Sequence, residues 1–172
     1  MSFLSFFEWL ANTRWSIALH ESTWGYPIVE SVHVLSLCLF LGMVVMLDLR
    51  LLGVSMRCAP VSEMVERLLP WTMTGFTLMV FSGALLFYAI PVRTSQNIFF
   101  RVKVVMLILS GLNAWAFHHS AVYGRLAEWN LAPVPPRRAR IAAGFSIVLW
   151  AGIVVAGRMI AYNWFDSGIL PH

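Results

Sequence analysis

Charged residues are scarce in this chain. They make up 12% of its 172 residues, whereas hydrophobic residues make up 59%. A soluble domain carries about 25% charged residues, so this composition excludes an ordinary soluble globular protein. It also excludes a nucleic-acid-binding protein, which needs a basic face in contact with solvent. The composition therefore predicts an integral membrane protein whose main partner is the lipid bilayer.

Cysteine is almost as scarce, since the chain contains only Cys38 and Cys58. Neither belongs to a CxxC or CxxCH pattern, which excludes c-type haem attachment and thiolate zinc sites. Twenty residues separate the two along one apolar stretch and its exit, and this argues against a disulfide between them. Phosphate-binding glycine loops, HExxH and GxSxG are also absent from the sequence. The sequence therefore contains none of these motifs of soluble enzymes.

Long apolar stretches fill most of what remains. Each is long enough to cross a hydrocarbon core of roughly 30 Å, and they cover residues 27–53, 70–90, 98–118 and 141–163. Short connections between four such spans predict an all-α fold, an antiparallel up-down bundle over residues 26–165. Residues 1–25 mix aromatic and polar side chains, and we expect them to form an amphipathic helix at the membrane interface. A helix packed on the mouth of the bundle is the alternative for this segment.

Arginines indicate how the bundle is oriented. Those that follow the first and third spans would lie on one side, the arginine-rich end: Arg50, Arg57, Arg67, Arg125, Arg137, Arg138 and Arg140. Because positive loops stay in the cytoplasm, we expect a multi-pass protein of the bacterial inner membrane with both termini in the periplasm. We call the opposite side, where residues 20–33, 90–103 and 158–164 lie, the outer end.

Ionisable side chains collect at the outer end. Tyr26, Glu30 and His33 follow an i, i+4, i+7 spacing and share one face of the first span. The third and fourth spans add Arg101, Lys103, Arg158 and Tyr162. Ionisable groups within membrane spans are candidates for function. Their layer is completed by His20, Trp24 and Trp164.

A neutral imidazole between helices is a natural iron ligand, so His33 is the principal candidate for a haem b site. Arg101, Lys103 and Arg158 would neutralise haem propionates or another anionic headgroup. Glu30 would orient His33 or relay a proton. A buried structural histidine, with Glu30 and Asp48 paired to arginines, is the alternative interpretation.

Depth limits the choice of a second iron ligand. Lys103 and His118 are fifteen residues apart, which is roughly 22 Å along a helix, so His33 and His118 cannot share one iron. Lys103 matches His33 in depth, and His20 is possible if the N-terminal segment folds over the mouth. His118 could bind a second metal or cofactor, or it could simply end a helix, where imidazolium complements the helix dipole.

Three segments carry a resemblance to known families: WGYPIVESVHVLSLCLFLGMVVMLDLRLLG, FFRVKVVMLILSGLNAWAFHHS and WAGIVVAGRMIAYNWF. They resemble an uncharacterised family of small bacterial inner-membrane proteins. More distantly, the layout is similar to the four-helix membrane proteins of the CopD and HemJ type. In the HemJ type, a histidine early in one helix and a lysine opening a later helix are associated with haem b, and His33 and Lys103 fall on those positions. The resemblance implies haem binding, with porphyrinogen oxidation or electron passage to quinone.

Three functional hypotheses follow. The first is a haem b redox protein that passes electrons between the quinone pool and a partner on the outer side, or the membrane subunit of such a complex. The second is a HemJ-like porphyrinogen oxidase. The third is a cofactor-free structural, assembly or transport subunit, in which Glu30, Arg101 and Arg158 form an ion-pair network. Whether the protein is an enzyme, and whether it forms homo-oligomers, stays open.

Overall fold

The computed structural model describes residues 3–160 and Tyr162. The described part is helical and contains no strand. Its helices are α1 (Phe3–Ala11), α2 (Arg14–His20), α3 (Gly25–Leu52), α4 (Val61–Ala89), α5 (Pro91–Gln96), α6 (Ile98–His118), α7 (Ala121–Gly124), α8 (Leu126–Trp129) and α9 (Arg137–Ile160). Helices α3, α4, α6 and α9 are long and apolar enough to cross a membrane. An all-helical fold with four candidate membrane spans is therefore confirmed.

Local sequence explains several helix ends. Helix α3 ends at Leu52 and is capped by Gly53, whose φ of 73° lies in the left-handed region that glycine adopts without steric cost. Helix α6 begins after Asn97, whose side-chain oxygen accepts a hydrogen bond from the backbone N–H of Phe99 at 2.9 Å. Pro91 opens α5, a position where its missing N–H does no harm.

The start of the second span differs from the prediction. Helix α4 begins at Val61, although the sequence predicted a span that begins at residue 70. Asn130 explains the extension, because its backbone carbonyl accepts from the N–H of Val61 at 3.2 Å and its side-chain oxygen accepts from the N–H of Ser62 at 2.8 Å. These bonds satisfy two donors that a helix N-terminus leaves free.

The N-terminal segment forms two short helices where one was expected. Helix α1 packs on α5, and α2 packs on α4 and α3. The buried Ser16 donates a hydrogen bond to the carbonyl of Tyr88 at 2.8 Å, and the hydroxyls of Thr13 and Tyr88 lie 2.6 Å apart. These contacts dock the segment onto the helices of the bundle, while Trp15 stays 80% exposed.

Helix α3 organises the packing of the spans. It packs on α4 and on α9, and α9 packs in turn on α6. One apolar cluster at mid-depth contains Phe40, Met79, Trp150 and Ile153. A Cβ atom on Gly75 would lie 2.9 Å from the backbone nitrogen of Phe40, so glycine at this position allows α3 and α4 to approach closely.

Candidate functional site

His33 lies on α3 with its ring turned toward α4. Its Nδ1 atom is 3.0 Å from the hydroxyl oxygen of Ser82, and the side chain is half-buried. The Ser82 hydroxyl lies 2.6 Å from the carbonyl oxygen of Leu78 and donates its proton there. Because that proton is engaged, the Ser82 oxygen accepts from the imidazole, and Nδ1 is the protonated nitrogen. The lone pair of a neutral His33 is therefore on Nε2.

Gly83 allows the ring of His33 to lie against α4. A Cβ atom at position 83 would lie 3.1 Å from Cε1 of His33, which is tighter than an ordinary van der Waals contact. The glycine and the neighbouring Ser82 thus hold one edge of the ring. Since both belong to the same turn of α4, a small rotation of α4 would change the position of His33.

Lys103 reaches the same layer from α6. Its Nζ atom would lie 3.5 Å from a Cβ atom on Gly157 of α9, so this lysine is packed beside a helix with no side chain at that point. His33 interacts electrostatically with both Lys103 and Glu30. His33 lies against α4 and Lys103 lies beside α9, so the two side chains contact different helices.

The other outer-end residues face solvent or headgroups. Arg101 is exposed and donates from Nε to the carbonyl of Ser95 at 3.1 Å. Arg158 donates to the hydroxyl of Tyr162 at 3.3 Å, and its guanidinium lies 5.3 Å from the centre of that ring. Glu30 is exposed as well.

The predicted ion-pair network is not formed among the described residues. In that part of the chain, no ion pair within 4 Å joins Glu30 to Arg101 or Arg158, and the ion pair that does form there is Glu63 with Arg67 at 2.6 Å. The described residues therefore do not show the expected pairing of arginines with Glu30 and Asp48. The reason is local: the arginines reach backbone carbonyls and a phenol on or near their own helices.

Helix α2 adds the ring of His20 to the outer end, beside Tyr26 at the start of α3. The rings of His20 and Tyr26 meet edge to face, with centroids 6.4 Å apart. Tyr26 also interacts electrostatically with Glu30 and Arg93. Trp24 is 75% exposed, and Trp164 lies outside the described residues.

His118 ends α6 at the arginine-rich end, far from His33. Its Nδ1 atom donates to the carbonyl of Ala114 at 2.8 Å, and its ring contacts that of Tyr123 with centroids 4.7 Å apart. His119 makes the equivalent bond to the carbonyl of Trp115 at 2.9 Å. Both side chains are exposed, and both bonds return to carbonyls of their own helix.

Sequence reasoning missed the residues that fix the ring of His33. In the sequence, Ser82 and Gly83 are ordinary small residues of an apolar span, yet Ser82 bonds to the imidazole and Gly83 lies beside it. Sequence reasoning also missed the neighbour of Asp48, Ser146 of α9, which lies close enough to interact with it. The sequence did contain a signal for these contacts: a serine inside one apolar span at the same depth as an ionisable residue on another span.

The donor set constrains the kind of metal centre. Among the described residues, no group of three or more His, Cys, Asp or Glu side chains is placed to hold a metal ion. A bare zinc or copper ion needs about three or four protein ligands. Haem iron is held by one or two axial side chains. A site built on His33 with Lys103 therefore fits haem better than a bare ion.

Comparison with known families places the chain without assigning it an activity. The chain belongs to a family of unknown function, DUF6644, whose model matches residues 6–163. No curated protein and no solved structure matches it. The comparisons thus agree with the resemblance to an uncharacterised family, and they do not show the likeness to CopD and HemJ.

Proposed function

We propose that this member of the DUF6644 family is an integral membrane protein that binds haem b through Nε2 of His33. It passes electrons between the quinone pool and a partner on the outer side, alone or as the membrane subunit of a redox complex. The observation that carries this proposal is the bond between Nδ1 of His33 and Ser82. Metal-binding histidines almost always donate their other ring N–H to an acceptor, and Ser82 is such an acceptor.

The residues around His33 and Lys103 fit the group. Gly83 lies beside the imidazole and Gly157 lies beside the ammonium, so both side chains are flanked by positions without bulk. Lys103 supplies a second nitrogen in the same layer, or a cation for a propionate. Bound haem would supply one-electron chemistry, while the chain would hold the imidazole in one tautomer.

The exposed cations at the outer end support the same proposal. Arg101 and Arg158 belong to different helices, α6 and α9, which pack on each other. Both guanidinium groups are at the surface, where they would pair with propionates or with an anionic surface of a partner. Glu30, one turn before His33, is placed to exchange a proton with solvent.

We also propose that the four long helices cross the bacterial inner membrane as an antiparallel bundle, with both termini in the periplasm. The arginines of the α3–α4 and α6–α9 connections support this orientation through the positive-inside rule. The exposed Trp9 and Trp15 of the N-terminal helices, at 64% and 80% exposure, would anchor that segment among headgroups.

The test is the absorbance of protein purified in detergent. We expect a Soret band and a pyridine haemochrome spectrum of haem b, near one haem per chain. His33→Ala should lose the band, and His119→Ala should retain it as the matched control. The spectrum of Lys103→Met distinguishes two roles of this lysine. It should change if Lys103 is an iron ligand and stay close to that of wild type if Lys103 pairs with a propionate.

Two results would overturn the proposal: a wild-type protein without haem, or a His33→Ala protein that keeps full haem occupancy. A wild-type protein without haem would favour the alternative, a cofactor-free structural or transport subunit. If the haem protein also oxidises protoporphyrinogen, the electron donor is a porphyrinogen and the protein is an oxidase.

A further inference from the structure

Asp48 is a buried carboxyl group inside a membrane-spanning helix, at the opposite end of α3 from His33. It lies four residues before the end of the helix at Leu52, and its exposure is 6%. Ser146 of α9 lies close enough to interact with it. Its Oδ2 atom is buried and has no hydrogen-bond partner, so one oxygen of the group is left without a neighbour that would stabilise a negative charge.

No cation of the described chain neutralises this group. Arg50 is two residues further along α3, and positions i and i+2 do not face each other. Its guanidinium instead donates to the carbonyls of Ala59, Asn130 and Ala132, at 2.8, 3.3 and 3.2 Å.

The charged groups of the neighbouring helices also point elsewhere. Glu63 and Arg67 of α4 are exposed and pair with each other. The arginines at the start of α9, Arg137, Arg138 and Arg140, are exposed too. Among the described residues, Asp48 makes no ion pair within 4 Å. An ionised carboxylate buried without a cation is far more costly than the neutral acid.

Further polar groups mark the same layer of the bundle. Asn113 of α6 donates from Nδ2 to the carbonyl of Ala142 on α9 at 3.0 Å, one turn before Ser146. The buried Ser110 lies on the same face of α6 as Asn113. Asp48, Ser146, Asn113 and Ser110 therefore form a polar layer across α3, α9 and α6, within otherwise apolar helices.

We propose that Asp48 is a proton-binding site: the carboxyl group is a neutral acid within the bundle, exchanging its proton with water at the arginine-rich end. Binding converts the carboxylate and one proton to the carboxylic acid, with the proton on the oxygen that lacks a partner. Ser146 lies beside the carboxyl group. The end of α3 is roughly 6 Å away along the helix axis, which makes the path to water short.

A metal cation is a poorer occupant of this layer. Hard cations take several oxygen ligands, six or more for calcium and magnesium. Here the carboxyl group and the Ser146 hydroxyl are the side-chain oxygens in contact. The proposal does not rest on haem, because Asp48 and His33 are roughly 22 Å apart along α3.

Infrared spectroscopy of the full-length protein in liposomes tests the proposal. The C=O stretch of a carboxylic acid is distinct from the bands of a carboxylate. We expect this stretch at neutral pH, lost in Asp48→Asn and shifted to lower frequency in D2O, since the proton exchanges. Ser146→Ala should keep the stretch but move it, because the acid loses a polar neighbour. Glu30→Gln and Glu63→Gln, which change exposed carboxylates, should leave it in place.

Three outcomes would overturn the proposal. One is the absence, at neutral pH, of any acid stretch that the wild-type protein shows and the Asp48→Asn variant lacks. Another is a stretch that D2O does not shift, which would show a proton that never exchanges. The last is a stretch that is present in a buffer with choline as the cation and vanishes when Na⁺ or K⁺ replaces the choline. That result would show that a metal cation binds in place of the proton. Ser146→Ala keeps the test decisive should Asp48→Asn fail to fold.

Discussion

Nδ1 of His33 and the hydroxyl oxygen of Ser82 lie 3.0 Å apart across the interface of α3 and α4. The serine proton is engaged by the carbonyl of Leu78 at 2.6 Å, so this contact determines which imidazole nitrogen keeps its lone pair. The tautomer of a histidine in a membrane span is thus set by a residue from another helix.

Ser82→Ala should weaken haem binding about 10–100-fold, the usual effect of removing a partner that orients a metal-binding histidine. Haem titration of the apoprotein measures this. Ser31→Ala is the matched control, because Ser31 is exposed on α3 and its hydroxyl only donates to the carbonyl of Pro27. Equal affinities for the two variants would show that Ser82 does not position the ring.

Gly83→Ala should displace the imidazole by a few tenths of an ångström, because the new Cβ would lie 3.1 Å from Cε1 of His33. We expect a shifted Soret maximum or a lower haem occupancy, read from the absorbance of the purified protein. Gly42→Ala is the control, since nothing lies within 4 Å of a Cβ at that position. An unchanged spectrum in both variants would show that Gly83 does not affect the position of the imidazole.

Gly75→Ala should lower the stability of the bundle. The added Cβ would lie 2.9 Å from the backbone nitrogen of Phe40, and backbone cannot yield as a flexible side chain can. Overpacking of this kind costs about 1–3 kcal/mol, and thermal unfolding in detergent would show it as a lower Tm. Gly42→Ala, by contrast, should raise the Tm, because alanine favours a helix by about 0.5–1 kcal/mol. A Tm for Gly75→Ala at or above that of wild type contradicts the close approach of α3 and α4.

Four long apolar helices were predictable from hydropathy and length. The start of α4 was not, because its backbone donors are satisfied by Asn130, a residue 68 or 69 positions away in sequence. Pro70 marked a helix start by local rules, yet it lies inside α4. Capping by a distant residue leaves no local pattern in the sequence.

The sequence predicts the depth of the candidate site along each helix but not the rotation of the helices. Spacing along each span predicts that His33 and Lys103 share one layer, and this stays a prediction. Spacing could not show that the imidazole meets Ser82, because the rotation of each helix depends on packing. The exposed positions of Arg101 and Arg158 were hidden for the same reason.

Arg50→Ala should destabilise the protein by at least about 2 kcal/mol, because the carbonyls of Ala59 and Ala132 lose the donor that Arg50 supplies. The carbonyl of Asn130 also loses a bond from Arg50 but keeps the one from the N–H of Val61. Urea or thermal unfolding in detergent measures the loss. Arg57→Ala is the control: Arg57 is exposed and donates to a single carbonyl, that of Gly53. Equal losses in the two variants would show that burial of the Arg50 guanidinium adds nothing.

The two native cysteines provide a test of the proposed orientation. Cys58 is exposed in the connection between α3 and α4, whereas Cys38 lies within α3. In a Cys38→Ser background, a membrane-impermeant maleimide should label Cys58 in inverted membrane vesicles and not in intact spheroplasts, because that connection would lie in the cytoplasm. Adding Asn12→Cys to a chain without native cysteines provides the opposite control, since Asn12 is exposed in the N-terminal segment and should be labelled in spheroplasts. Labelling of Cys58 in intact spheroplasts would reverse the orientation, and it would place the His33 layer on the cytoplasmic side, where an outer-side electron partner could not reach it.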